Sequence, residues 1–447
     1  MSIECAKSVS LVPEIQTTPS PSLFPTTLFV EPTTRCNLRC RMCVKQDQAG
    51  CIEEGDIAFE TFQSLIPAFA HVESLILTGI GEPLLHPDLE KMISLARRYL
   101  PEESRIGFQT NGMLLEPHRA KSLLQAGLDR ICLSLDAASP QTFQNLRSGG
   151  KLAGIDRALE ALDKARSRIK ANRLKIGIEF VLMKNNYLEL PEVVRWAAKR
   201  GVTFIIITHM LPYNEALEPE TMYPINLDGA RDLFLFWQGK AQEQGVDLRT
   251  FFNARGRYIK TTADEKVIDL VGSMISEAYM QEIFLLLEDL LEEDENETKR
   301  VKEVFAHGQS LARSLGLELI LPEVRPKKDR RCDFVEENSA FVSWQGAVHP
   351  CYLLWHRYTC YRNGNKKFVE PKSFGRLDER GIMEIWNDPE FIKFREGVRK
   401  YDYPYCWSCN VAPCDLIYTE SFDQDCFGVQ VPCGDCPWCM GLLHCLR

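Results

Sequence analysis

From residue 28 the chain alternates short runs rich in β-branched and aliphatic residues with longer segments of helical period. The runs are "LFVEPT" (28–33), "SLILTG" (74–79), "RIGFQT" (105–110), "RICLSLD" (130–136), "KIGIEFVLM" (175–183) and "TFIIITH" (203–209). Between them lie "FETFQSLIPAFA", "DLEKMISLARRYL", "PHRAKSLLQAG", "GIDRALEALDKARSRI" and "YLELPEVVRWAAKRG". Strands alternating with helices predict βα units and a parallel sheet, with right-handed crossovers that curl it. A complete barrel of this kind needs about eight units. Six are legible, so the expected fold is α/β, a partial (β/α)6 TIM-like barrel with an open side.

The alternation stops near residue 225. Residues 226–331 read as a helical insertion and linker, with the acidic block "EEDENE" as a solvated face or turn. From residue 332 the composition shifts to Cys, Trp and Tyr, and "FVSWQGAVHPC" reads as a small β-hairpin. Residues 1–27, rich in Ser, Thr and Pro, are expected to be a mobile N-terminal extension. The predicted organisation is thus 1–27, barrel 28–225, insertion 226–331 and Cys-rich domain 332–447.

Length and composition fit a multidomain globular protein: 447 residues, 45% hydrophobic and 26% charged. A net charge of −9 argues against a nucleic-acid partner. No apolar run approaches the roughly 18 residues that span a bilayer, and the N-terminus lacks the basic and apolar regions of a signal peptide. A cytoplasmic location is expected, with no membrane partner. There, seventeen cysteines are more readily metal ligands than disulfides. Four fall between residues 36 and 51, eleven from Cys332 onward, and Cys5 and Cys132 stand alone.

Cys36, Cys40 and Cys43, spaced C-x3-C-x2-C, directly follow the first predicted strand, at the sheet edge where barrel active sites are built. Three thiolates on one loop can hold three irons of a 4Fe–4S cube and leave the fourth without a protein ligand. An open metal position marks a site that does chemistry, whereas a fourth thiolate suits electron transfer. Cys51 is the alternative fourth ligand, and zinc the alternative metal.

"CNLRCRMC" after a strand resembles the signature of the radical SAM superfamily. There the open iron binds the amino and carboxyl groups of S-adenosylmethionine (SAM), and reductive cleavage yields a 5′-deoxyadenosyl radical that abstracts hydrogen. "LTGIGEPLLHP" resembles the family's Gly-Gly-Glu motif, which implies cofactor contacts at Gly79, Gly81 and Glu82. "QTNGMLL" and "LSLDA" resemble its ribose- and carboxylate-binding strand ends, which implies Asn111, Ser134 and Asp136. Glu179 and His209 face the same edge by position; His209 is ranked lower, since a buried histidine is commonly satisfied by the core. Cys132 reads as a core cysteine.

The tail resembles the SPASM domain, which carries auxiliary iron–sulfur clusters. Cys332 and Cys351 fit its C-x(9–15)-G-x4-C element, and "EIWNDPEFIKFRE" fits the segment before its C-x2-C pair. Cys406, Cys409 and Cys414 then depart from its spacing, and Cys426, Cys433, Cys436, Cys439 and Cys445 follow, with Cys360 besides. The resemblance implies two auxiliary 4Fe–4S clusters. Cys332 and Cys351 are expected on the first and Cys406, Cys409 and Cys414 on the second, with later cysteines completing both. Zinc knuckles are the alternative.

Most enzymes of this kind modify peptides or proteins, which implies a peptide or protein substrate and an electron donor such as flavodoxin or ferredoxin. The ending "DCFGVQVPCGDCPWCMGLLHCLR" resembles metalloenzyme maturases associated with tungsten-cofactor oxidoreductases. A non-catalytic iron–sulfur electron carrier or metal-binding scaffold is the alternative. No catalytic base or radical-quenching residue stands out.

Overall fold

The computed structural model describes residues 22–47, 52–169, 173–411 and 413–447. Cys5, Cys51 and most of the expected N-terminal extension lie outside them, so the proposal of Cys51 as a fourth ligand falls there too.

The six predicted strands form in order as β1 (Thr27–Val30), β2 (Ser74–Leu77), β3 (Arg105–Thr110), β4 (Arg130–Ser134), β5 (Lys175–Leu182) and β6 (Phe204–His209). Each pairs in parallel with the next. β1, β2 and β6 are buried at every residue, because parallel strands are covered on both faces and read as continuous apolar runs. The outer cover is α1 (Leu89–Tyr99), α2 (Pro117–Ala126), α3 (Leu152–Ile169) and α4 (Leu190–Ala198). Their buried faces, such as Leu89, Met92, Ile93 and Ala96 of α1, recur at the helical period.

Within 226–331, α5 (Asp228–Glu243) and α6 (Thr262–Met280) share a core of their own around Phe234, Val267, Val271 and Met274. Thr261 and Asp264 form a capping box that starts α6. α7 (Glu295–Ser314) instead packs on α4, and β7 (Glu318–Ile320) joins the barrel sheet beside β6.

The Cys-rich region also enters that sheet. β8 (Ser339–Val342) pairs in parallel with β1, and β9 (Val348–His349) turns back antiparallel as the predicted hairpin. The result is one nine-stranded sheet in the order β9-β8-β1-β2-β3-β4-β5-β6-β7. A second hairpin, β10 (Tyr358–Arg362) and β11 (Asn365–Val369), precedes α8 (Pro389–Lys400). The partial barrel is therefore extended on both edges by strands from outside the six βα units. Each edge strand of the barrel gains a partner for its backbone.

Phe341 of β8 is central to this junction. Its ring lies 4.3 Å from Trp355, 4.9 Å from Tyr352 and 6.2 Å from Phe29 of β1. Phe341→Ala is expected to cost about 3–5 kcal/mol, the range for deleting a buried aromatic ring. Urea unfolding of the variant and the wild type measures it.

Candidate active site

The loop leaving β1 carries the cysteine triplet. Arg39–Cys40 pairs antiparallel with Arg147–Ser148, which ties the loop to the chain beyond β4. Lys45 Nζ donates to the Thr34 carbonyl (2.8 Å) and pairs with Glu54 (2.5 Å), closing the far side. Asn111, at the end of β3, donates from Nδ2 to Asn37 Oδ1 (2.8 Å) and lies 3.9 Å from Cys36 Sγ. Cys36, Cys40 and Cys43 are thus gathered and half-buried. Burial raises all three thiols, Cys43 to about 11. A bound cationic centre would favour their thiolate forms.

Beside them the chain from Thr78 to Glu82 forms a tight cradle. A Cβ on Gly79 would lie 2.4 Å from Glu31 Cγ, and one on Gly81 2.3 Å from the Thr33 carbonyl. No other residue fits either position. Glu31, fully buried at the end of β1, accepts from the Ile80 amide (3.1 Å), the Trp344 amide (3.3 Å) and His356 Nε2 (3.0 Å). Glu82 accepts from Thr110 Oγ1 (2.6 Å), the Asn111 amide (2.7 Å) and the Leu84 amide (3.1 Å). Its carboxylate is thereby committed to joining the ends of β2 and β3, and the cradle presents its backbone to the cavity.

Asp136 differs from its expected place at the cavity wall. It is fully buried behind the wall, accepts from the Val181 amide (2.9 Å) and pairs with Arg147 Nε (2.6 Å). The wall carries Arg147 instead, with Nη1 3.7 Å from Cys40 Sγ. Burial acts against the guanidinium, but Asp136 and Cys40 together hold it charged. Arg147 was missed because no strand-end motif contains it: it follows a short helix and reaches the site only through the ladder with Cys40.

A cavity of about 310 Å³ joins these groups to Gln109, Ser134, Glu179, Thr208, His209, Tyr352 and Cys445. Ser134 accepts from Gln109 Nε2 (3.3 Å). Burial pushes Glu179 up to about 8, so its carboxyl is mainly neutral at pH 7. Burial lowers His209 to about 4. Its Nε2 lies 2.9 Å from the Glu323 carbonyl, an obligate acceptor, so that nitrogen carries the proton. Nδ1 is then a buried lone pair with no partner. The expectation of a satisfied core histidine is half met.

The later cysteines sort into groups. Cys439 is within hydrogen-bonding reach of Cys332 and Cys436, while Cys433 and Cys351 are electrostatic neighbours of Cys332 and Cys436. Cys426 faces Cys414 and Cys409, and Cys406 senses Cys426. Two sets of neighbouring thiols result, the first of five cysteines and the second of four. Among the described residues none is drawn to the spacing of a single metal ion. Cys445 is separate from both sets, with Arg447, Glu179 and Glu337 as its charged neighbours, and it lines the same cavity as Cys36, Cys40 and Cys43. Cys360 lies against Lys367, Asp435 and Arg362, and Cys132 is buried inside β4.

Residues 30–197 match the radical SAM superfamily, and residues 332–410 match the iron–sulfur cluster-binding SPASM domain. The chain belongs to the radical SAM superfamily and carries a SPASM domain. Its cofactors are accordingly 4Fe–4S clusters and SAM, as the two domains imply. The three gathered thiols, the glycine cradle and the Arg147 guanidinium fit those groups.

The chain is 29% identical over 424 residues to the tungsten-containing aldehyde ferredoxin oxidoreductase cofactor-modifying protein of Pyrococcus furiosus, covering 94% of this chain and 96% of that one. It is 34% identical to GTP 3′,8-cyclase of Rhizobium meliloti over 48% of this chain and 62% of that enzyme. Among solved structures it is similar to Streptococcus suis SuiB bound to precursor peptide SuiA, at 14% identity and a TM-score of 0.47 over 87% of this chain and 70% of that one.

Two outcomes are expected at this site. Asp136→Ala leaves the buried Arg147 charge unpaired and should cost about 3–5 kcal/mol in urea unfolding. Glu179 has a folded pKa of about 8 against an ordinary 4.5, so its stabilising effect is complete below about 4.5 and is lost as pH rises to about 8. Wild-type stability relative to Glu179→Gln should therefore fall between pH 5 and pH 8, measured by parallel denaturant titrations.

Proposed function

We propose that this protein is a maturation enzyme that abstracts hydrogen from a peptide or protein substrate, a metalloenzyme or its small partner. The SPASM domain, whose resemblance implies peptide or protein modification, carries the substrate part of this reading, and the likeness to the cofactor-modifying protein of Pyrococcus furiosus across nearly the full length of both chains supports the maturation role. When bound, SAM supplies the 5′-deoxyadenosyl radical. The protein's own groups hold and orient it. Cys36, Cys40 and Cys43 take the first cluster, leaving one iron open. The backbone at Gly79–Gly81 receives the amino group, Arg147 the carboxylate, and the polar edge of Gln109, Asn111 and Ser134 the ribose. Glu179 enters as a neutral carboxyl at the substrate side of that edge.

Cys332, Cys351, Cys436 and Cys439 are proposed for one auxiliary cluster, with Cys433 as an alternate ligand. Cys406, Cys409, Cys414 and Cys426 are proposed for the other. A ferredoxin or flavodoxin would supply the electron in the cytoplasm. Among the described residues no helix is long and apolar enough to cross a membrane.

A second reading takes a small cofactor molecule as the substrate. The printed name of the Pyrococcus furiosus relative and the modest cavity of about 310 Å³ favour it. Whichever compound raises 5′-deoxyadenosine formation above its unstimulated rate separates the two.

The first test is anaerobic. Protein reconstituted with iron and sulfide, then given dithionite and SAM, is expected to yield 5′-deoxyadenosine. Cys40→Ala should lower the yield by roughly 10²-fold or more, since loss of a cluster ligand removes the cofactor that carries the chemistry. An intact first cluster that leaves SAM uncleaved would replace this proposal with the electron-carrier reading.

A further inference from the structure

Along β2 to β6, alternate residues point into the barrel. Ser74, Arg105, Arg130 and Lys175 line a cavity at the amino end of the strands, and Thr78, Gln109, Ser134, Glu179 and Thr208 line the SAM cavity at the other. Between these layers lie Ile76, Gly107, Cys132, Gly177 and Ile206, with the Phe204 ring set against Gly177. A barrel interior is normally filled by layers of bulky branched side chains. Here the middle layer has two glycines and a cysteine, and the barrel has only part of its wall.

Residues 442–447 occupy that interior. The His209 amide donates to the Leu442 carbonyl (3.2 Å), and the His444 amide donates to Thr208 Oγ1 (3.1 Å), both at the carboxyl end of β6. At the opposite end Arg447 pairs with Asp333 (2.6 Å) and Glu337 (3.0 Å), and its carbonyl accepts from Arg130 at the start of β4. The segment therefore runs the length of the strands from one edge to the other. The SAM cavity of about 310 Å³ and the cavity of about 980 Å³ at the amino end share two lining residues among those described, His444 and Cys445.

We propose that residues 442–447 form the floor of the substrate cavity, a specificity-determining segment that separates it from the opposite mouth and sets how deeply a substrate can reach. The floor presents the Cys445 thiol next to Glu179, and its Leu442 carbonyl accepts from the His209 amide. The proposal rests on the SAM-cavity reading only for the word substrate; the partition can be tested without turnover.

The experiment uses cluster-loaded full-length protein treated with N-ethylmaleimide, with modification of each cysteine followed by peptide mass spectrometry and iron content measured alongside. Arg447→Glu sets like charges against Asp333 and Glu337 and should free the far end of the segment. Cys132, fully buried in the middle layer, is expected to be modified at least about ten-fold faster in this variant than in the wild type, while buried Cys360 stays unchanged. Equal rates at Cys132 in both proteins, with iron retained, would overturn the partition. Amide hydrogen exchange of the wild type decides the matter where the variant loses iron or exposes Cys360. Residues 442–447 should exchange as slowly as β6, and exchange within seconds would overturn the proposal.

Discussion

The carboxylate of Glu31 is the contact on which the rest of this site depends. It is buried at the end of β1, where an unpaired charge would cost several kcal/mol. Three donors compensate it: the Ile80 amide of the cofactor cradle, the Trp344 amide of the β8–β9 turn, and the His356 imidazole. One residue thus fastens the glycine cradle and the Cys-rich C-terminal region to the same strand. It also explains Gly79, whose absent side chain leaves the space the carboxylate fills. The parallel pairing of β8 with β1 brings Trp344 to that carboxylate, so sheet register and site geometry are one constraint.

The cavity is electrostatically divided. On the side of the cysteine triplet sits a fixed cation, Arg147, held by Asp136 and turned toward Cys40. A guanidinium there suits a carboxylate and the anionic character of a thiolate-bound cluster. On the other side burial leaves Glu179, His209 and Cys445 mainly uncharged at neutral pH. The protein confines permanent charge to where the cofactor's polar end would lie, and lines the remainder with neutral hydrogen-bonding groups and aromatic rings. Such a wall orients a substrate without adding charges that need compensation of their own.

The barrel strands were legible because parallel strands buried on both faces are nearly continuous apolar runs. The cysteine triplet and the glycine motif were legible because their function restricts spacing within a few residues. Glu82 and Asp136 were expected as cofactor contacts from their strand-end positions, and their structural partners were not legible. Glu82 binds Thr110 and Asn111 across two strand ends, and Asp136 supports Arg147 from behind the wall. A role of that kind depends on which way a buried side chain turns. Residue type and position do not state it.

By itself the sequence determined the alternating strand–helix order, the cofactor class and the two cysteine-rich regions, because each rests on local periodicity or spacing. Tertiary structure decided what is joined across long separations. Its products are β8 beside β1, β7 beside β6, Cys426 with Cys406, Arg147 beside Cys40, and residues 442–447 inside the barrel. The physical reason is that burial and pairing of backbone and charge are satisfied by whatever partner the folded chain brings near. That partner can lie some 300 residues away, as His356 does from Glu31.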